Sequence, residues 1–298
     1  MHVLPFPWLR RLALALATAG LVSLPALAAD EADEKKPEFN WQAGPADVDM
    51  AGSVALLKIS EAEAFLDPSQ TRKLLERSGN QTSGKEVGLI RPLDDDASWW
   101  AIFEWEPAGY VKDDEKDKID ADELLKSISE GTEEGNDYRK EHGAPALHVV
   151  RWSDPPHYDA QTHNLTWGIL AKDENGGEVV NHQVRVLGRE GFMAVTLIDD
   201  PKLIEDSKVS FNKVMEHFAY KPGRTYSEWR PGDKVAEYGL TALVAAGAGA
   251  AALKLGFFGY LAKFAKVIVI GLAAAAATVG RFFKRLFGRG DSSNPNGP

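Results

Sequence analysis

The sequence predicts an α+β fold, in which helices pack on one face of an antiparallel sheet to form a single extracytoplasmic domain. Short segments rich in β-branched and aromatic residues recur along the middle of the 298-residue chain, as strands require. Glycine-containing turns at residues 175–177 and 188–191 join three consecutive segments as hairpins. Apolar segments at both ends of the chain further predict export and a C-terminal transmembrane helix or helical hairpin.

Seven segments in the middle of the chain have the composition of strands and are bounded by residues that favour turns. The strand candidates are Val54–Ile59, Val87–Arg91, Trp99–Trp105, Leu147–Trp152, Leu165–Lys172, Glu178–Leu187 and Phe192–Ile198.

Three segments are predicted to be helices. Pro68 and Pro201 each follow an aspartate, which places a cap residue before a first-turn proline. Since the helices are few and the strands closely connected, we expect the helices to cover one face of the sheet. The final helix, followed by Lys221-Pro222-Gly223, resembles the ending of PsbP/Mog1-like α+β domains. The helix candidates are Pro68–Arg77, Asp120–His142 and Pro201–Phe218.

Residues 1–29 have the organisation of a secretory signal peptide. Two arginines precede an apolar stretch, and Ala26-Leu27-Ala28 supplies small residues at the expected cleavage site. The apolar stretch is shorter than the roughly 20 residues of a spanning helix, which disfavours an uncleaved N-terminal anchor. We expect a disordered acidic arm at residues 30–46 and the α+β domain at residues 47–233.

Residues 234–290 are predicted to anchor the chain in a membrane. The segment Tyr238–Ala262 contains one charged residue, and as a helix it is long enough to cross a bilayer. The next apolar segment, Val267–Gly280, is short for a full crossing. Because lysine and arginine collect on the cytoplasmic side, the basic residues that follow favour one crossing. A two-span hairpin stays open, and residues 291–298 are expected to be a disordered tail.

The predicted anchor ends in an amphipathic helical pattern, with phenylalanines on one side and basic residues on the other. Such a helix is expected to lie at the membrane interface and to contact anionic lipid head groups. Small residues four apart in Ala245–Ala252 would allow self-association or a protein partner in lipid, although they could simply make a weakly apolar helix. The residues assigned to lipid contact are Arg281, Lys284, Arg285 and Arg289.

Composition excludes several classes of function. The formal net charge is −10, and because the two ends are net positive, residues 12–253 carry −18, so nucleic acid is not an expected partner. The chain has no cysteine, which excludes disulfides, thiolate metal sites and cysteine nucleophiles. No histidine spacing matches a zinc motif, and the acidic run at 113–120 lacks the glycine and glutamate of a calcium loop. We therefore expect no metal and no cofactor.

Several short motifs are distinctive when taken together. They are Gly88–Ile90, Trp100–Trp105, Gly109–Asp114, Gly131–Glu134, Trp152–Asp159, Val186–Gly191, Lys221–Tyr226 and Lys234–Leu240. With these motifs, the chain from about Gly52 to the end of the apolar region resembles the DUF2167 family of bacterial membrane-anchored proteins. This resemblance implies a membrane anchor and supplies no catalytic residue.

The first functional hypothesis is a binding, scaffold or envelope-stress protein without catalytic activity. It would sit in the inner membrane of a bacterium, with its domain facing the periplasm. Loops that carry polar and aromatic residues commonly form binding sites, so we expect contact at the loops 109–114 and 155–159. The candidate surface residues are Tyr110, Lys112, Asp113, Asp114, Trp152, Pro156, His157, Tyr158 and Asp159.

Two alternatives belong to other functional classes. A metal- or carboxylate-dependent hydrolase of the cell envelope could use residues from a set of four. The members of this set are His157, Asp159, His163 and His182. An accessory subunit of a membrane protein complex would instead make its contacts through the segment that begins at Tyr238.

Overall fold

The computed structural model describes residues 39–245, which contain eleven strands and four α-helices. The strands are β1 (Gln42–Ala43), β2 (Ala46–Met50), β3 (Ala55–Ile59), β4 (Glu63–Leu66), β5 (Glu86–Pro92), β6 (Trp100–Glu106), β7 (Leu147–Asp159), β8 (Asn164–Asp173), β9 (Glu178–Leu187), β10 (Phe192–Asp199) and β11 (Phe218–Tyr220). The helices are α1 (Pro68–Arg77), α2 (Ala121–Glu141), α3 (Ile204–Met215) and α4 (Leu240–Ala245).

The strands form one large and one small antiparallel sheet. The large sheet has eight strands in the order β1-β4-β5-β6-β10-β9-β8-β7, and the small sheet has the order β11-β3-β2. Strands β7 to β10 are consecutive neighbours, and the two glycine turns predict the β8–β9–β10 part of this arrangement. The α+β class and the large antiparallel sheet are therefore confirmed.

Helices cover both faces of the large sheet, which corrects the prediction of helices on one face. Residues of α2 and α4 pack on the face that contains Ala194, here called the helix face. Residues of α3 and of the small sheet pack on the opposite face, which contains Val195. The physical reason lies in the central strands: every residue of β10 is buried, so both faces must be covered.

Local patterns locate most elements correctly, and the differences have local causes. All seven strand candidates form strands, and α1 has the predicted bounds, with Asp67 accepting hydrogen bonds at its N-terminus. Helix α3 begins three residues later than predicted, because residues 200–203 form a turn in which the Leu203 and Ile204 amides donate to the Asp200 carbonyl. Phe218 lies in β11, where it pairs with Leu57 of β3, and not in the predicted helix.

The predicted loop 155–159 is part of a strand. β7 continues through Pro155 and Pro156 to Asp159, at the open edge of the large sheet, with three irregularities in its register against β8. Proline cannot donate a backbone hydrogen bond and is tolerated at a sheet edge or at a bulge, and this segment offers both. The sequence signal of two prolines therefore indicates an irregular edge strand here.

Both predicted boundaries of the domain need correction. Gln42–Ala43 and Ala46 belong to strands rather than to a disordered arm, and Trp41 packs edge-on against Trp100 with 6.4 Å between ring centroids. At the other end the domain continues beyond residue 233, since Val235 pairs with Tyr110 and α4 lies in the core. The apolar core thus takes in residues on both sides of the predicted 47–233 limits.

No helix among residues 39–245 is both long and apolar enough to cross a membrane. The predicted signal peptide, most of the predicted anchor, its lipid-contacting basic residues and the tail lie outside the described residues.

Candidate functional site

The predicted contact loop 109–114 is held on both sides by backbone hydrogen bonds. The Gly109 amide donates to the carbonyl of Glu190, in the turn between β9 and β10. The Tyr110 amide donates to the Lys234 carbonyl, and the Ala236 amide donates to the Tyr110 carbonyl. The loop therefore connects the hairpin turn to the segment that leads into α4.

Four rings stack in succession beside this loop, and we call them the aromatic column. Ring centroids are 5.2 Å apart from Trp229 to Tyr110, 4.4 Å from Tyr110 to Tyr226, and 4.3 Å from Tyr226 to His163. Tyr226 is buried, whereas the other three rings are half-buried. The column joins the loop 109–114, the β7–β8 connection and the C-terminal segment of the domain, which are far apart in sequence.

Tyr158 connects the column to the second predicted segment. Its hydroxyl donates to Asp113 Oδ2 over 3.2 Å and lies 3.1 Å from His163 Nδ1. A hydroxyl has only one hydrogen. While the Tyr158 hydroxyl donates it to Asp113, His163 Nδ1 must therefore be the donor to the hydroxyl oxygen. The structure thus brings together the two segments, 109–114 and 155–159, in which the sequence places the candidate surface.

Burial affects the hydroxyl groups of Tyr158 and of Tyr226. Loss of solvent around the rings raises the pKa of Tyr158 and of Tyr226 well above that of a free tyrosine. Both hydroxyls therefore stay protonated at neutral pH and act as hydrogen-bond donors. The Tyr226 hydroxyl donates to the Val111 carbonyl over 2.9 Å and fixes the start of the C-terminal segment.

The remaining candidate residues divide between two faces of the sheet. Lys112 and Asp114 are exposed beside the column. Alternation along β7 turns His157 to the face opposite Tyr158. Asp159 accepts from the Gln161 amide and the Thr162 hydroxyl and so closes the β7–β8 turn.

Trp152 and Pro156 are half-buried on β7. The Trp152 indole donates to the Ala121 carbonyl over 3.1 Å at the start of α2. Trp152 therefore has a structural partner, and the exposed part of the predicted surface is confined to the loop beside the column and to His157.

The four residues of the hydrolase hypothesis do not form one group. His163 belongs to the column, whereas His182 lies on β9 with its Nδ1 3.7 Å from Asp154 Oδ2. Within residues 39–245, no three histidine, aspartate or glutamate side chains are placed to hold a metal ion.

The sequence did not predict a charged cluster formed by Asp154, His182 and Lys208, here called the Asp154 clasp. Asp154 of β7 contacts His182 of β9 and the ammonium of Lys208 from α3. These partners, His182 first, hold the pKa of Asp154 well below its usual value. The Asp154 carboxylate lies over Gly168 of β8, the strand between β7 and β9. A Cβ added at Gly168 would lie 2.7 Å from Asp154 Oδ2. Asp154 stands within the motif 152–159, but no local pattern points to Lys208.

Removing the hydroxyl of Tyr226 or that of Tyr158 should show which of the two contributes more to the stability of the domain. Tyr226→Phe is expected to destabilise the protein by about 1–3 kcal/mol, because the buried Val111 carbonyl loses its donor. Tyr158→Phe is the matched control and should cost less than about 1 kcal/mol, since water can replace the half-buried hydroxyl at Asp113. Urea unfolding of the purified variants measures both changes. Equal losses would show that Tyr226 has no special structural role.

Comparison with known proteins identifies a family and two distant structural neighbours. The family model described as protein of unknown function, DUF2167, matches residues 42–277. No curated protein matches the chain.

The structural neighbours are similar at a level that carries no argument about function. Cyanobacterial PsbP (CyanoP) from Synechocystis sp. PCC 6803 has 10% identity and a TM-score of 0.33, over 66% of this chain and 99% of its own. The Ran-binding protein Mog1p of Saccharomyces cerevisiae has 12% identity and a TM-score of 0.30, over 65% of this chain and 100% of its own. The match over most of the chain shows that this protein belongs to the DUF2167 family.

Proposed function

We propose that this protein is a membrane-anchored extracytoplasmic binding or scaffold protein, active in the cell envelope without catalysis. The observation that carries the proposal is the Tyr158–Asp113 contact, which joins the two candidate segments around the aromatic column. The Tyr158 hydroxyl contacts Asp113 and His163, and the Tyr226 hydroxyl donates to the Val111 carbonyl, so these hydrogen bonds hold the rings in place beneath the surface. Half-buried aromatic side chains beside exposed charges are typical of protein interfaces.

The proposed location is the inner membrane of a bacterium, with the domain facing the periplasm. The signal-peptide pattern at residues 1–29 and the apolar segments after Tyr238 support this location. The basic residues 281–289 would contact anionic lipid, and the segment Ala245–Ala252 would provide a helix contact to a second copy or a membrane partner. An acidic domain is not suited to bind nucleic acid.

Reversing two charges beside the column should weaken partner binding without unfolding the domain. The full chain carrying Lys112→Glu with Asp114→Lys keeps its net charge, and both positions are exposed. We expect a stoichiometric partner, copurified in mild detergent, to be lost with this double variant. Its thermal unfolding temperature should stay unchanged, because neither side chain is buried.

The control exchanges another exposed pair of opposite charges. Lys172→Glu with Glu178→Lys reverses facing residues at the far end of the β8–β9 hairpin and should retain the partner. Loss of the partner with both double variants, or retention with both, would remove the column surface from the proposal.

A hydrolase remains the second candidate because His182 lies beside a carboxylate. His182 Nδ1 lies 3.7 Å from Asp154 Oδ2, which is beyond hydrogen-bond distance, so the carboxylate would orient the imidazole as a general base only after the two groups move closer. Hydrolysis of ester or phosphoester substrates by the purified full chain, abolished in His182→Gln, would favour this function over binding. Stoichiometric metal lost with His157→Ala would favour the metal-dependent form.

An accessory subunit of a membrane complex is the third candidate. It shares the proposed anchor but uses the segment after Tyr238 as its contact. Deleting this segment beyond Ala245 would then abolish function while the column surface is intact.

A further inference from the structure

Two glutamates are buried side by side at the β5–β6 pairing. Glu86 and Glu104 face each other across the two strands and are 4% and 3% exposed. Both accept a hydrogen bond from the Ser83 hydroxyl, at 3.1 Å for Glu86 Oε1 and 2.5 Å for Glu104 Oε1. The Ser83 amide also donates to Glu86 Oε1 over 2.6 Å. Ser83 itself is exposed, so its loop covers the carboxyl pair from the solvent side.

The available donors cannot satisfy two ionised carboxylates. The Ser83 hydroxyl carries one hydrogen and can serve only one of them at a time. The Oε2 atoms of Glu86 and Glu104 are buried and have no hydrogen-bond partner among residues 39–245. Two adjacent buried negative charges are strongly unfavourable, and a single proton on the pair removes one charge and supplies one donor.

The cationic side chains around the pair make their closest contacts with other groups. Arg185, on β9, donates to Gln183 and lies over the Trp167 ring, 4.7 Å from its centroid. Its charge lowers the pKa of Glu104 by less than burial raises it. Lys85, next to Glu86 in sequence, pairs with Glu106 of β6.

Arg72, on α1, makes only a weak contact with the pair. Its Nη1 lies 3.9 Å from Glu86 Oε2 and donates to the Glu86 carbonyl instead. With no close ion pair on either carboxylate, burial dominates and raises the pKa of Glu104 to about 8.

We propose that Glu104 holds a proton beside Glu86, and that its loss in mildly alkaline medium releases the Ser83 loop, making the domain a sensor of external pH. This inference rests on the proposed function, because an extracytoplasmic domain meets the pH of the medium directly. After the proton leaves, both carboxylates are negative and repel each other, and Ser83 can hold only one of them. The irregular register between β5 and β6 at Val87 gives the strand end room to separate.

The sign of the pH effect follows from the direction of the change. The folded state holds the Glu104 proton with a pKa of about 8, against an ordinary value of 4.5, so it binds more protons than the unfolded chain. The stabilisation is complete below about pH 4.5 and is lost as the pH rises through about 8. Resistance to unfolding should therefore fall between these two values.

Glu104→Gln is the decisive variant, because the amide keeps the shape of the protonated side chain and cannot ionise. In the full chain in detergent, we expect the wild-type unfolding temperature to fall by about 5–10 °C from pH 5 to pH 9. The variant should lose most of that fall and be the more stable protein at pH 9. Glu178→Gln, at an exposed position, should keep the wild-type profile. Equal pH dependence in wild type and Glu104→Gln would overturn the proposal.

Two further readouts keep the proposal testable if Glu104→Gln fails to fold. Infrared spectra of the wild type should contain a protonated carboxyl band at pH 7 that disappears above pH 8. Exchange of the Ser83 amide hydrogen should accelerate over the same range beyond the intrinsic effect of pH, because its bond to Glu86 opens. Two fully ionised carboxylates at pH 7, or a Ser83 amide protected equally at pH 6 and pH 9, would overturn it. Neither readout involves a binding partner, so failure of the proposed function would be seen separately.

Discussion

A chain that ends at residue 233 is expected to lose its cooperative unfolding transition, whereas a chain that ends at residue 245 keeps it. Leu240, Leu243 and Val244 of α4 are at most 1% exposed and pack in the cluster on the helix face. Truncating one such side chain costs about 2–5 kcal/mol, and whole domains are stable by only about 5–15 kcal/mol. Removing all three, together with the Val235–Tyr110 pairing, therefore exceeds what the domain can lose.

Near-ultraviolet circular dichroism and thermal unfolding of the two shortened chains measure this difference. The chain ending at 245 should have a fixed aromatic signal and a single transition, and the chain ending at 233 should have neither. Leu243→Asp in the longer chain is a matched control, because it keeps the length and places an unpaired charge in the core. A folded chain ending at 233 would show that α4 is dispensable.

The predicted C-terminal boundary of the domain at residue 233 is wrong for a physical reason, because a protein core and a bilayer both favour apolar residues. The sequence predicts one apolar segment, Tyr238–Ala262, and assigns all of it to lipid. The structure places Leu240–Ala245 in the domain, which leaves about 17 residues before Lys263 for a crossing, at the lower limit for a spanning helix. Hydropathy alone cannot divide such a segment, because burial against α2 and burial in lipid look alike in composition.

Elements with a strong local signal are predictable from the sequence, and strands without one are not, including β2, which pairs with its sequence neighbour β3. The β8–β9–β10 hairpins follow from their turns, and α1 follows from its cap. β4 and β11 have three or four residues each, and β11 pairs with β3, which lies far away in the sequence. Pattern length limits detection of such strands, because three residues cannot display a period.

The candidate site shows the same division between local and distant information. Polar and aromatic composition predicted the segments 109–114 and 155–159, which meet at Tyr158 and Asp113. Tyr226, in contrast, belongs to the motif Lys221–Tyr226, but that motif does not indicate what the ring contacts, and only the fold brings it between Tyr110 and His163. Sequence reasoning can therefore propose the ends of such a contact but cannot identify the residue that fills its centre.

A methyl group added at Gly168 is expected to break the Asp154 clasp and destabilise the domain by about 2–4 kcal/mol. The new Cβ would lie 2.2 Å from Ser153 Oγ and 2.7 Å from Asp154 Oδ2, so the Asp154 carboxylate must leave its place. The Lys208 side chain, which is only 13% exposed, would then lose its ion pair with Asp154 and retain only the one with Glu205. Urea unfolding of the full chain in detergent at neutral pH measures the loss.

Two further variants separate this steric mechanism from a general effect of replacing glycine. Gly135→Ala, on α2, meets nothing within 4 Å and should be neutral or stabilising by up to about 1 kcal/mol. Asp154→Ala removes one of the two atoms that the new Cβ would strike, so Gly168→Ala should cost less in that background than in the wild type. The low pKa of Asp154 adds a pH test: the clasp stabilises the fold above the ordinary aspartate range, and this contribution fades as the pH falls below it. Additive losses in the double variant would place the strain of Gly168→Ala elsewhere and leave the clasp as an ordinary ion pair.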